Sequence, residues 1–265
     1  MKIHPSAVID ARALLGDGVE IGPFSVIGGD VTIGAGTVVQ SHVVLEGTVR
    51  IGANNRIGHG CIIGGPPQDL GYKDATPSAV EIGDSNVLRE YCTIHRGTTA
   101  GSATSMGDGN FLMAGVHIGH NCRIANGVII ANNCLLAGYV EIDDRAFIGG
   151  GTTFHQYMHV GRLVMAQGSS AFGKDIPPFL LAAERNFVFG LNVLGMRRAG
   201  FTATERDDVK RAFKLLYKSG LNTRQALEQA AATEFGPLGR EFFEFVANAR
   251  KRGIVPYRHA GDDES

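Results

Sequence analysis

Ile3, Ile9, Leu15, Ile21, Ile27, Ile33, Val39, Leu45, Ile51, Ile57 and Ile63 stand six residues apart without a miss. After an interruption the register returns at Ile82, Leu88 and Ile94 and skips six residues. It then runs through Met106, Leu112, Ile118, Ile124, Ile130, Leu136, Ile142, Ile148, Phe154, Val160 and Ala166 to Phe172. Gly follows many of these positions. A six-residue unit with one large aliphatic and a small residue four places later predicts a short strand plus a turn, because one large side chain per unit can fill a narrow prism. Three units close a triangular coil, and each strand then pairs with the one 18 residues away, at the usual spacing of about 4.8 Å. The expected fold is therefore mainly β, a hexapeptide-repeat parallel β-helix. An open antiparallel sheet would show period two and hairpin turns.

The pattern changes near residue 186. Beyond Phe172 the register dissolves in GKDIPPFLLAAERN, where two prolines argue against another coil, and helical periodicity takes over. Phe187 to Arg198 reads as a first helix. Thr204, with Asp207 three residues on, reads as the cap of a second that runs through Lys218. Asn222 or Thr223 caps a third ending near Gly236, and Leu238 to Arg252 forms a fourth that stops at Gly253. Residues 1–186 thus read as a coil domain and 187–265 as a helical domain whose helices pack on one another and on a neighbouring subunit. GDDES reads as a disordered tail.

Interruptions in a repeat are where chemistry is sought. From Ile63 to Ile82 the chain spends 19 residues where six would suffice, so roughly thirteen, centred on GPPQDLGYKDATPS, leave as a loop. A second loop leaves after Ile94, around TTAGSATS. Counting in triplets places the units at Ile63, Ile94, Ile118, Leu136 and Phe154 on one face, so both loops leave from one corner. The outward positions there carry His95, His120, Tyr139 and His155, with His117 at the end of the preceding unit. His95, His120 and His155 are expected to form a column about 15 Å tall. A neutral imidazole is the usual general base near physiological pH. A three-histidine metal site is the competing possibility, but no carboxylate-and-histidine arrangement supports it.

Composition fits this picture. There are 37 glycines in 265 residues, about twice the usual share, as a fold that turns a corner every six residues needs. A formal net charge of −1 gives no general hint of nucleic-acid or membrane binding, yet Arg197 to Arg258 holds thirteen Lys and Arg against seven Asp and Glu. No stretch approaches the roughly 20 apolar residues of a membrane span, and the first fifteen residues lack an apolar signal core, so a cytoplasmic protein is expected. Cys61, Cys92, Cys122 and Cys134 each fall in the small inward slot of a repeat, which assigns them to core packing.

GPPQDLGYK, TIHRGT, MAGVHIGHNC, IANNCLLAGYVEIDD, HQY, GKDIPP and GMRRAGF occur in an order and spacing that resembles the acyl-[acyl-carrier-protein]–UDP-N-acetylglucosamine O-acyltransferase family, which opens lipid A biosynthesis. The resemblance covers nearly the whole chain. It implies a left-handed parallel β-helix homotrimer with active sites between subunits and no cofactor. It also implies transfer of a 3-hydroxyacyl chain from acyl carrier protein to the 3-hydroxyl of the sugar nucleotide. Carried onto this sequence, His120 is the general base and the Gly138 N–H the oxyanion donor. Gln68 and Asp69 hold the sugar, while His117, His155 and Gln156 line the nucleotide or acyl pocket. Gly168 leaves room in the acyl groove, and Arg198 binds phosphate from the helical domain. His95, Asn121, Tyr139 and Asn192 complete the substrate-binding set, and the basic helices would dock the acidic carrier protein.

Some positions depart from the family pattern. Gly71 stands where a lysine is usual, with Lys73 as a candidate substitute, and Asn121 replaces an aspartate after the catalytic histidine. Asn can orient the imidazole but not stabilise imidazolium by charge, so a weaker base is expected. Tyr139 replaces a common histidine, Leu194 a frequent acidic residue, and AERN a glycine-asparagine turn. The His-Asn pair also resembles the N-acyltransferase of the same pathway, which raises a 3-amino sugar nucleotide as an alternative acceptor. A non-catalytic scaffold and a metal-dependent enzyme are the remaining possibilities.

Overall fold

The N–H groups flanking each inward aliphatic donate to carbonyls of the following coil, as Lys2 N does to Val19 O at 2.9 Å and Gly22 N to Val39 O at 2.8 Å, while corner N–H groups donate back, as His42 N does to Pro23 O at 3.0 Å. This ladder stacks the short strands into three parallel faces. The computed structural model describes residues 1–258; GDDES lies outside the described residues. The first face starts with Lys2–Ile3 and Glu20–Ile21, the second with Val8–Ile9 and Val26–Ile27, the third with Leu14–Leu15 and Val31–Ile33. Partners lie 18 residues apart except across the two insertions, where Ile57 pairs with Leu88 and Leu88 with Leu112, and at the last coil, where Ala166 pairs with Ala182.

The predicted aliphatics fill the prism, with Ile57, Leu112 and Ile130 fully or almost fully buried. Complete burial of such a side chain contributes about 2 kcal/mol. The second inward slot holds Val, Cys or another compact apolar residue, or a small polar residue whose polar atom is hydrogen-bonded inside the coil. Thr37 Oγ1 donates to Gly52 O at 2.9 Å. Asn55, Asn86 and Asn110 form a buried ladder in which each Oδ1 accepts the backbone N–H of the next coil, at 2.8 Å for Asn86 and Asn110 and 2.7 Å for Val128. All four cysteines are buried, as the spacing predicts. Burial pushes the Cys122 thiol up to about 12, and Cys134 is also raised.

The predicted loops leave from the same corner, between the second and third faces. Strand Ile62–Gly65 is followed by thirteen loop residues, 66–78, before Ala79–Ile82. The second loop is shorter than expected. It spans residues 96–102, because Ala103–Met106 is already a strand.

The prolines do not end the coil. Ile176 bridges Val160, Leu180–Ala183 pairs with Met165–Ala166, and Arg185 bridges Ala171, so one further turn is completed. Pro177 and Pro178 sit at its corner, and with no following coil to receive an N–H their missing donors cost nothing there. Phe187 does not begin a helix either. Phe187–Leu191 is a strand folded antiparallel onto Leu180–Ala183, since its amide groups find partners on an open sheet edge that a helix could not use.

Four helices follow, α1 (Val193–Arg198), α2 (Ala203–Lys218), α3 (Thr223–Ala231) and α4 (Pro237–Ala247). The cap of α2 is Thr202 rather than Thr204. Glu205 completes a capping box with Thr202, a pairing that places Val209, Ala212, Phe213 and Leu216 on the buried side. Asn222 caps α3 as expected. The start of α4 has no side-chain cap of its own. Buried Asp208 of α2 supplies one, accepting from Gly236 N at 2.9 Å and Gly239 N at 2.7 Å. Helices α2, α3 and α4 pack on one another. Helix α4 is fastened to the last coils by Arg162 to Glu241 at 2.7 Å, and the segment after it by Arg250 to Glu141 at 2.8 Å.

Replacing Ile130 by Asp would place an unpaired carboxylate inside the prism. Loss of soluble, folded protein is expected in expression and circular dichroism. Wild-type solubility and melting temperature in this variant would refute the assigned register.

Candidate active site

The outward positions of the second face carry His117, Leu135 and Thr153 on adjacent coils. The residues that follow are small, Gly119, Ala137 and Gly138, so the surface dips into a cleft of about 340 Å³ bordered by Gln68, His95, His117, His120, Phe154 and Gln156. The first loop borders it through Gln68. His95 Nδ1 donates to Pro66 O at 2.5 Å, since a carbonyl can only accept. Arg96 Nη1 donates to Gly64 O at 2.6 Å and its Nε to Tyr72 Oη at 3.0 Å. Arg96 thereby holds the first loop against the second; repeat counting did not single it out, since it lies one residue beyond the last strand position.

His120 sits in the turn after Ile118, not on the strand itself. Its Nδ1 lies 3.0 Å from Asn121 Oδ1, and because an amide oxygen only accepts, Nδ1 carries the hydrogen and Nε2 keeps a bare lone pair for the cleft. Gly138, one coil on, has to be small. A Cβ there would meet His120 Cε1 at 2.2 Å and Nε2 at 2.4 Å. The Gly138 N–H donates to no acceptor among the described residues. Asn121, Tyr139 and Tyr157 occupy the same left-handed turn position on successive coils, with φ of 59°, 62° and 64°. The Tyr139 ring stands edge-on to His120 with centroids 5.4 Å apart and stacks on Tyr157 at 4.6 Å.

The expected column of His95, His120 and His155 does not form. His95 and His155 each follow the inward residue by one position, whereas His120 follows by two and turns the corner. His95 instead meets His117 edge-on, with centroids 5.2 Å apart. His155 faces away to Arg252, whose Nη2 donates to His155 Nε2 at 3.2 Å. Gln68 and Gln156 line the cleft. Asp69 does not; its Oδ1 accepts from Gly71 N at 2.7 Å. Lys73 is exposed and off the cleft.

Gly168 lies outside the cleft, packed against Gly150. Asn192 caps α1, with its Nδ2 donating to Leu163 O at 2.9 Å. Arg198 is exposed in the last turn of α1. Within one chain the structure therefore brings Gln68, His95, His117, His120, Asn121, Gly138, Tyr139 and Gln156 together and leaves Asp69, His155, Gly168, Asn192 and Arg198 apart. Among the described residues no cluster of His, Cys, Asp and Glu is arranged to hold a metal ion, and no helix is long and apolar enough to cross a membrane.

Burial, reinforced by His95 and His120, lowers the His117 pKa to about 4, and its Nδ1 is 2.8 Å from Thr93 Oγ1. His117 is therefore neutral at physiological pH. Its folded pKa lies below the unfolded value of about 6.5, so its contribution to stability is complete above that value and is lost as pH falls toward 4. A histidine NMR titration should find the His117 ring neutral at pH 5.5 with a midpoint near 4; a midpoint near the unfolded value would contradict its buried place.

Comparisons with known proteins bear on the whole chain. A family model described as UDP N-acetylglucosamine O-acyltransferase, domain 2, matches residues 175–255, and one described as bacterial transferase hexapeptide (six repeats) matches residues 12–47 and 103–138. The acyl-[acyl-carrier-protein]–UDP-N-acetylglucosamine O-acyltransferase of Burkholderia orbicola is 45% identical over 96% of this chain and 99% of its own length. That of Paraburkholderia xenovorans is 46% identical over the same shares. Among solved structures, Acinetobacter baumannii LpxA superposes with a TM-score of 0.91 at 39% identity, covering 96% of this chain and 99% of that one. The Francisella novicida UDP-N-acetylglucosamine acyltransferase gives 0.91 at 38%, covering 97% and 95%. The left-handed parallel β-helix with helices at its C-terminal end is common ground with these structures. By sequence over nearly its full length and by fold, the chain belongs to the acyl-[acyl-carrier-protein]–UDP-N-acetylglucosamine O-acyltransferase family.

Proposed function

We propose that the protein transfers a 3-hydroxyacyl chain from acyl carrier protein to the 3-hydroxyl of UDP-N-acetylglucosamine, the first step of lipid A biosynthesis, and does so as a cytoplasmic homotrimer. The observation that carries the mechanism is His120, with Nδ1 engaged by Asn121 and Nε2 free beside Gly138 in a cleft. Nε2 takes the proton of the acceptor hydroxyl as that oxygen attacks the thioester carbonyl. The Gly138 N–H supports the negative charge that develops on the carbonyl oxygen. Collapse expels the carrier thiolate, which recovers the proton from His120. No acyl-enzyme is required, in keeping with four buried cysteines.

The outward rows support assembly. On the third face the row opens with Leu14 and is polar from there on, through Thr32, Arg50, Glu81, Ser105, Arg123, Glu141 and His159. On the first it reads Lys2, Glu20, Val38 and Arg56, and then an apolar run of Val87, Phe111, Ile129, Phe147 and Met165. Two apolar-bearing faces beside a polar third suit a closed ring in which one copy's face covers another's. Such a ring would also bring Asn192, Arg198 and Gly168 of a neighbouring copy toward a cleft that lacks them. The basic residues from position 187 onward suit docking of an acidic carrier. The O-acyltransferase names borne by the relatives favour a hydroxyl acceptor over an amine.

An assay with UDP-N-acetylglucosamine and a panel of 3-hydroxyacyl carrier proteins should give turnover for the wild type and report its chain-length preference. His120→Ala should lower kcat by roughly 10²- to 10⁴-fold with little change in melting temperature, because the ring is only half-buried. Gly138→Ala, whose methyl would displace the imidazole, should lose most activity while remaining folded. No turnover by folded wild type, or full turnover by His120→Ala, would defeat the proposal.

A further inference from the structure

We propose that Thr98, in the second loop, is a positioning residue for the base, acting through Asn121 to hold His120 in the single tautomer that leaves Nε2 unprotonated. The proposal rests on the acyl-transfer function for its kinetic consequence only. Asn121 Oδ1 receives the Thr98 backbone N–H at 3.0 Å and the Thr98 hydroxyl at 2.9 Å, beside His120 Nδ1 at 3.0 Å. A flipped side-chain amide would set an NH₂ against these donors, so the threonine dictates which way the amide points. With Oδ1 facing the ring, the Nδ1–H tautomer is the one that makes a hydrogen bond, and the Nε2–H tautomer would oppose two acceptors.

The donors run in one direction. Thr98 Oγ1 gives its hydrogen to Asn121, so at 3.0 Å from the Tyr139 hydroxyl it accepts from Tyr139. The chain reads Tyr139 to Thr98 to Asn121, with His120 donating to the same amide oxygen. Tyr139 also stands edge-on to the imidazole, so a single hydroxyl ties the residue beside the base to the residue that orients it. Asn121 is anchored from the other side, its N–H donating to Thr104 Oγ1 at 2.7 Å, which in turn donates to His95 O at 2.6 Å. A carboxylate at position 121 would select the Nδ1–H tautomer by its charge. An amide has two faces of opposite character, and here the second loop supplies the choice.

The test compares wild type, Thr98→Val and Thr98→Ser as ¹⁵N-histidine-labelled full-length protein, with His120→Ala identifying the resonances. Wild-type His120 should show a protonated Nδ1 and a pyridine-like Nε2. Thr98→Val keeps the backbone N–H but loses the hydroxyl donor and with it the link to Tyr139, so it should show an Nε2–H fraction that wild type lacks, and its kcat should fall roughly five- to tenfold, the effect of one lost hydrogen bond to a neutral partner. Its KM for the sugar nucleotide should stay within about twofold of wild type, because no substrate contact is removed. Thr98→Ser should restore both the spectrum and kcat. An Nε2–H tautomer in wild type, a Thr98→Val protein indistinguishable from wild type, or a Thr98→Ser protein as impaired as Thr98→Val would each overturn the assignment. Spectra that respond as expected in a protein without transfer activity would uphold the positioning network and reject the function proposed above.

Discussion

Everything in this molecule depends on the ladder in which the strand N–H groups of each coil donate to the carbonyls of the next and its corner N–H groups donate back. Because the ladder runs in register, a residue inherits its direction from the one a coil earlier, and one buried aliphatic per unit sets the phase of all three faces. The internal asparagine ladder keeps the same register but runs the opposite way, each side-chain oxygen taking the N–H of the coil that follows. The direction of donation also explains how the coil ends. Its last turn tolerates Pro177 and Pro178 because no further coil asks for their donors, and the edge that remains is closed by Phe187–Leu191.

A stack this regular has no concavity of its own, so the cleft has to come from departures in side-chain size and loop length. Gly119, Ala137 and Gly138 remove side chains from one patch of the second face, and the first of two insertions leaving from one corner borders it through Gln68. The polar groups of the cleft are disposed by neutral partners. Pro66 O orients His95, Thr93 meets His117, and Asn121 orients His120. Burial keeps His117 uncharged as well. His120 is thus surrounded by fixed dipoles whose directions depend on loop residues, and the loop is as much part of the base as the coil.

The six-residue period was enough to assign the parallel coil, its three faces, the inward cysteines and the corner from which both loops leave, because each follows from position within a repeat. Periodicity failed where the repeat stops. A strand at Phe187–Leu191 and a helix there carry the same apolar content, and only an open sheet edge distinguishes them. Thr202 and Thr204 both open a threonine-led capping pattern, and the packing side of α2 decided between them. The histidine column failed for a smaller reason, a one-residue difference in repeat position that sends His120 around a corner.

What the sequence determined by itself was therefore whatever repeats, the architecture and the identity of the residues on the chemically active face, since a period specifies direction without knowledge of distance. Tertiary structure decided what does not repeat. It placed Arg96 and Thr98 of the loops against Tyr72 and Asn121, turned His155 toward Arg252, and set Asn192 to cap a helix. Those outcomes depend on side-chain hydrogen bonds between segments 20 to 100 residues apart, and such bonds leave no periodic trace in the chain.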